Sequence, residues 1–155
     1  MFKPTCSLKS ITDISPEMLS EMKVTGLLLD IDNTLTTHDN PIPGEGVQDW
    51  IETMKKQGIG LILVSNNHFD RVKPFAEIFG LDFTYDSKKP LSVGLKLAVK
   101  KLNLHKKNVA VVGDQIFTDI LGANLFGVKS ILLDPIELET TRFFKLKRYC
   151  EKLFR

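Results

Sequence analysis

Cysteine is scarce in this chain of 155 residues: Cys6 and Cys150 stand near opposite ends. That is neither the density of a disulfide scaffold nor the close spacing of a zinc site, and it fits the reduced thiols of an intracellular, cytoplasmic protein. Apolar runs are short. Stretches such as Leu61-Ile62-Leu63-Val64 fall far below the roughly 20 residues a membrane-spanning helix requires. Met1-Phe2-Lys3-Pro4 places a charge and a proline where an export signal carries its apolar segment, so export is not expected. An excess of either charge is also lacking, with 21 Lys and Arg against 19 Asp and Glu for a net +2. Outside the last fifteen residues the two signs are interspersed, without the basic, aromatic-interleaved face of a nucleic-acid binder. What is present is an ordinary globular composition, 43% hydrophobic and 26% charged, at a length suited to one domain spanning 1–155.

Short apolar runs alternate with longer amphipathic stretches, the pattern of repeated βα units around a parallel sheet. Five strands are expected at Val24–Ile31, Ile59–Ser65, Leu81–Tyr85, Val109–Val112 and Lys129–Leu133. Their near-continuous apolarity predicts helices on both faces. Helices fit at 45–57, 68–79, 90–103 and 117–126, three of them stopped by Gly58, Gly80 and Gly127. Ser15-Pro16-Glu17 supplies an N-cap, a first-turn proline and an early acid, so residues 1–23 read as a bracing segment with one short helix.

Polar chemistry gathers where these strands end. Asp30-Ile31-Asp32-Asn33-Thr34 follows the first, and strand alternation would send both carboxylates out on one face. The second strand ends in Ser65-Asn66-Asn67, groups suited either to a phosphate oxygen or to capping the next helix. After the third comes Lys88-Lys89-Pro90, where Pro90 at a first helical position would set Lys89 beside a positive helix end. The fourth runs into Gly113-Asp114, with Asp119 five residues further on, and Gly113 is read as permitting a tight turn. Open α/β sheets bind ligands at this carboxyl edge.

In order and spacing these four segments resemble the motifs of haloacid-dehalogenase-superfamily phosphatases, with a Rossmann-like sheet. The phrases around Ser65, Lys89 and Gly113 resemble the YqeG-type subfamily IIIA, which includes phosphatidylglycerophosphate phosphatases. The resemblance implies that Asp30 is the nucleophile that forms an aspartyl-phosphate and Asp32 the general acid and base. It implies Mg²⁺ held by Asp30, Asp114 and the Asp32 carbonyl, with Thr34, Ser65, Asn66 and Lys89 around the phosphoryl group and Asp119 in support.

Between Thr34 and Ser65 the chain has room only for a flap and one helix, so no cap domain is expected. A capless site suits a large or surface-bound phosphorylated substrate, with phosphatidylglycerophosphate and its lipid headgroup the leading expectation. A second reading is a soluble sugar-phosphate or nucleotide phosphatase, closed by self-association into a homo-oligomer. A reading from another class is a phosphoaspartate receiver or an assembly module; Asp32 and Thr34 favour the enzyme, since a receiver needs no acid two residues beyond its phosphoacceptor. Residues 141–155 carry six basic groups against Glu151, a net +5 that leaves −3 elsewhere. As a helix they would form a basic amphipathic element outside the catalytic motifs. Such a helix suits peripheral contact with an anionic membrane at about 1 kcal/mol per basic residue.

Overall fold

The computed structural model describes residues 1–136 and 149–152. Its sheet has six parallel strands, β1 (Cys6–Leu8), β2 (Gly26–Leu29), β3 (Gly60–Val64), β4 (Asp82–Thr84), β5 (Val109–Gly113) and β6 (Lys129–Leu133). They are ordered β1-β6-β5-β2-β3-β4. The architecture expected from the sequence is thus present with one strand more. Three residues are too few for a periodicity to show, and β1 declares itself only by pairing, Cys6 with Ile131 and Leu8 with Leu133. Residues 1–23 therefore complete the sheet as well as bracing it, and the Trp50 indole donates to the Ile14 carbonyl at 2.9 Å.

Between the strands lie α1 (Pro16–Glu21), α2 (Val47–Lys56), α3 (Phe69–Phe79), α4 (Val93–Leu102) and α5 (Leu121–Phe126), the last preceded by a π-helical turn over Ile116–Ile120. Ser15 caps α1 by accepting from the Met18 N–H, and Gly80 and Gly127 end α3 and α5 with left-handed backbones. Strand alternation divides the apolar residues between two layers. Leu27, Leu29 and Leu63 face α2 and α3 with Trp50, Met54 and Phe75. Leu28, Ile62 and Val111 face the opposite side with Leu95, Ala98 and Ala123. Burial on both faces accounts for the unbroken apolar strands.

The chain leaves β2 for β3 and β4, then returns to the other side of β2 with β5. That reversal opens a crevice at the carboxyl end of β2, flanked by the ends of β3 and β5. Asp30 stands at its mouth.

Candidate active site

β2 stops at Leu29, although the Asp30 N–H still reaches the Val112 carbonyl at 2.9 Å. The backbone then turns, with Leu35 N–H on the Ile31 carbonyl and Asn33 at a positive φ of 59°. Side-chain alternation nonetheless runs on to Ile31, which joins Leu27 and Leu29 in one layer while Leu28 faces the other, so the alternation expected of Asp30 and Asp32 reaches at least that far. Both line one cleft of about 410 Å³, with His38, Asn66, Lys89, Gln115 and Thr118.

Beneath the cleft lies a dry cluster of charges. The Lys89 ammonium donates to Asp30 Oδ1 at 3.0 Å, to Asp119 Oδ1 at 2.6 Å and to the Val64 carbonyl at 2.9 Å. Lys89 and Asp119 expose only 3% and 1% of their side chains. Burial raises the Asp30 carboxyl well above the usual carboxylate range, the neighbouring Asp119 and Asp114 charges raise it further, and Lys89 offsets only part. Burial alone would lower the Lys89 ammonium, but Asp119 and Asp30 outweigh it and hold Lys89 above its ordinary value, so it stays charged. Carboxylate oxygens of Asp30, Asp114 and Asp119 lie within 4.8 Å of one another. One ammonium among the buried Asp114 and Asp119 and the half-buried Asp30 leaves negative charge in excess, and hard oxygen donors are the set a small divalent cation prefers. The residues present fit a divalent metal.

Lys89 owes its place to a device other than a helix end. α4 begins at Val93, three residues after Pro90, and the Lys89–Pro90 bond is cis within a turn. The position is set by Asn66, whose Oδ1 accepts the Lys89 N–H at 2.7 Å while its Nδ2 donates to the Lys89 carbonyl at 3.1 Å. Asn66, expected at the phosphate, thus spends both amide atoms on the Lys89 backbone while still lining the cleft. Thr34 and Ser65 are buried. Thr34 Oγ1 donates to Asp30 Oδ2 at 3.3 Å, and Ser65 Oγ accepts the Asn67 N–H at 3.0 Å. Asp119 reaches the cluster because residue 113 has no side chain: a Cβ there would sit 2.2 Å from Asp119 Oδ2. Space, more than a tight turn, is what Gly113 provides. Asp119 Oδ2 also accepts the Gln115 N–H at 3.2 Å, so both its oxygens have assigned partners.

Asp32 belongs to a wetter group. Its Oδ1 accepts from Arg71 Nη2 at 3.0 Å and from the Asp39 N–H at 2.8 Å, and its Oδ2 accepts from Asn67 Nδ2 at 3.1 Å. Arg71 is absent from the residues singled out by sequence. A cation in the first turn of α3 opposes the helix dipole, but nothing local in the sequence names its partner.

Glu151 was equally unexpected. Its side chain is fully buried, and Oε1 accepts the N–H groups of Ile116 at 3.1 Å and Phe117 at 3.3 Å. It caps the turn that carries Asp119. The basic amphipathic helix expected over 141–155 falls mostly outside the described residues, but 149–152 are helical. Through Glu151 this segment is tied to the site and cannot be counted as separate from it. No helix among the described residues is long and apolar enough to cross a membrane.

The parallel sheet thus gathers carboxylates and a buried lysine at one carboxyl edge. A haloacid dehalogenase-like hydrolase family model matches residues 27–127. The chain belongs to that family and is a phosphatase. Over 151 residues it is 38% identical to the "Probable phosphatase YqeG" of Bacillus subtilis, covering 97% of this chain and 88% of the relative. It is 30% identical over 161 residues to the mitochondrial phosphatidylglycerophosphatase GEP4 of Saccharomyces cerevisiae, covering 94% and 85%. Among solved structures it is similar to an uncharacterized protein from Listeria monocytogenes serotype 4b, with TM-score 0.62, 19% identity and coverage of 76% and 85%. NagD from Escherichia coli K-12 is also similar, with TM-score 0.61, 13% identity and coverage of 77% and 93%. These two likenesses show the fold.

Proposed function

We propose that this phosphatase is a Mg²⁺-dependent phosphomonoester hydrolase that works through an aspartyl-phosphate on Asp30, with phosphatidylglycerophosphate as its substrate. The observation that carries the mechanism is the Lys89 bridge between Asp30 and Asp119 at the base of a cleft that Asp32 also lines. Thr34 and Lys89 fix the Asp30 carboxylate from two sides, so one lone pair can point at phosphorus. As the Asp30 oxygen bonds to phosphorus, the ester P–O bond breaks, and the departing oxygen keeps the electron pair and takes a proton from Asp32. Water then bonds to phosphorus, the aspartyl P–O bond breaks with its electrons returning to Asp30, and Asp32 takes the proton of water. Asp30, Asp114 and the Asp32 carbonyl would hold Mg²⁺, which would neutralise the phosphate charge and keep Asp30 ionised despite its burial. Lys89 supplies the fixed positive charge at the phosphoryl oxygens, and Ser65 borders them.

The lipid assignment rests on the likeness to a phosphatidylglycerophosphatase along 94% of the chain. It also rests on a cleft with no cap over it among the described residues: only the flap, α2 and β3 separate Thr34 from Ser65. In this reading residues 1–155 form one catalytic domain acting from the cytoplasmic side at an anionic membrane surface. The test is phosphate release from phosphatidylglycerophosphate, sugar phosphates and nucleotides with Mg²⁺ present. The reading predicts the lipid as the fastest substrate and no release by Asp30→Asn; faster turnover of a soluble ester would overturn the lipid assignment and leave the chemistry standing.

A further inference from the structure

We propose that Arg71 is a positioning residue for proton transfer, gripping Asp32 Oδ1 from α3 so that the carboxyl is held in one orientation with Oδ2 the less encumbered oxygen. The proposal rests on Asp32 being the acid and base of the reaction. Oδ1 accepts two donors, the Arg71 guanidinium at 3.0 Å and the Asp39 N–H at 2.8 Å. Oδ2 accepts one, the Asn67 amide at 3.1 Å. Arg71 and the flap thus occupy Oδ1 with two donors, one of them charged, and leave Oδ2 the oxygen with more capacity to spare for the reacting groups. The same arrangement serves both half-reactions: Oδ2 gives its proton to the ester oxygen as that P–O bond breaks, and later takes one from the attacking water.

Arg71 sits poorly by the standards of stability alone. It is a cation in the first turn of α3, and its Nε is buried without a hydrogen-bond partner among the described residues, with Asp39 Oδ1 at 3.9 Å. Set against this, the contact of its guanidinium with the Phe75 ring, 5.2 Å from the centroid, is favourable, as is the Asp32 pair. A local misfit of this kind is the mark of a residue placed for a task. Asn67 extends the arrangement, since its amide reaches Asp39 as well as Asp32, at 3.5 and 3.1 Å. Arg71, Asn67 and the flap backbone thus converge on a single carboxylate.

The test separates positioning from folding through the leaving group. A nitrophenolate departs without a proton, whereas an alkoxide needs one. The ratio kcat/KM reports steps up to the departure of that group and ignores the later hydrolysis. Arg71→Met keeps the stem against Phe75 and removes the guanidinium. It should lower kcat/KM for glycerol 3-phosphate about 10- to 100-fold, and for p-nitrophenyl phosphate less than about threefold. Arg71→Lys, which keeps a charge but not the fork, should fall between Met and the parent, and it carries the test alone if circular dichroism shows the Met variant unfolded. Equal losses on both substrates, or none, would overturn the proposal. Asp32→Asn, run alongside, locates the failure. If it too loses activity equally on both esters, Asp32 is not the acid; if it is selective and the Arg71 variants are not, only the role of Arg71 falls.

Discussion

The two halves of the site are built on different principles. Around Asp30 the charges are dry: Lys89 and Asp119 are almost wholly buried and come from the ends of β4 and β5. Around Asp32 they are wetter and held by a loop. Asp32 exposes 17% of its side chain, little more than Asp30 at 14%, but its neighbour Asp39 exposes 63%, and the flap is joined to the acid through the Asp39 N–H, Arg71 and Asn67. Electrostatic interactions strengthen as water is excluded. The strand-borne half is therefore suited to holding the phosphoryl group fixed, where reorganisation would be costly. The loop-borne half faces the variable part of the substrate, and a flap can adapt there.

Breaking the buried half should cost most. Asp30→Asn is expected to lower kcat on the order of 10⁴-fold or more, as loss of a nucleophile does, with the fold retained because the residue lies at the sheet's rim. Rapid-quench phosphate release checks this. Lys89→Ala should be next, at about 10³-fold, because Asp30 and Asp119 lose the ammonium that bridges them. Lys88→Ala should stay within about threefold, since Lys88 is exposed. Similar losses in the two lysine variants, measured as kcat/KM, would dissolve the distinction between the halves. Removing divalent metal with a chelator should abolish turnover. Restoring Mg²⁺ at about 100 times its dissociation constant should raise stability by about 2.7 kcal/mol, read as a rise in Tm.

A smaller effect probes the link to the C-terminal segment. Glu151→Ala leaves two N–H groups of the 116–120 turn without their acceptor and should cost about 2 kcal/mol of stability. Metal affinity, measured by calorimetry, should weaken, because the turn carries Asp119. Glu151→Gln, which keeps one acceptor oxygen, should recover most of it. An unchanged Tm in the Ala variant would separate this segment from the site.

Much of the buried half was legible. β6 falls at Lys129–Leu133 as the apolar run indicates, and all four strand ends deliver the expected polar groups because a parallel sheet aligns its carboxyl termini. Reading Pro90 as a helix start failed because proline also serves turns, and here Asn66 secures Lys89 instead. The wetter half was nearly illegible. Arg71 looks like one more charge on an amphipathic helix, and Glu151 like the one acid in a basic tail; only the packing of distant segments gives them partners. Such contacts span 39 and 35 residues and leave no local periodicity.

The most direct measurement is to find the covalent intermediate. The protein, turning over substrate with Mg²⁺, is quenched in acid and treated with borohydride, which reduces an aspartyl-phosphate to homoserine, and its peptides are read by mass spectrometry. The account predicts homoserine at position 30, appearing with substrate and absent in Asp30→Asn. Homoserine at Asp32, Asp114 or Asp119 instead, or at none of them during active turnover, would contradict it.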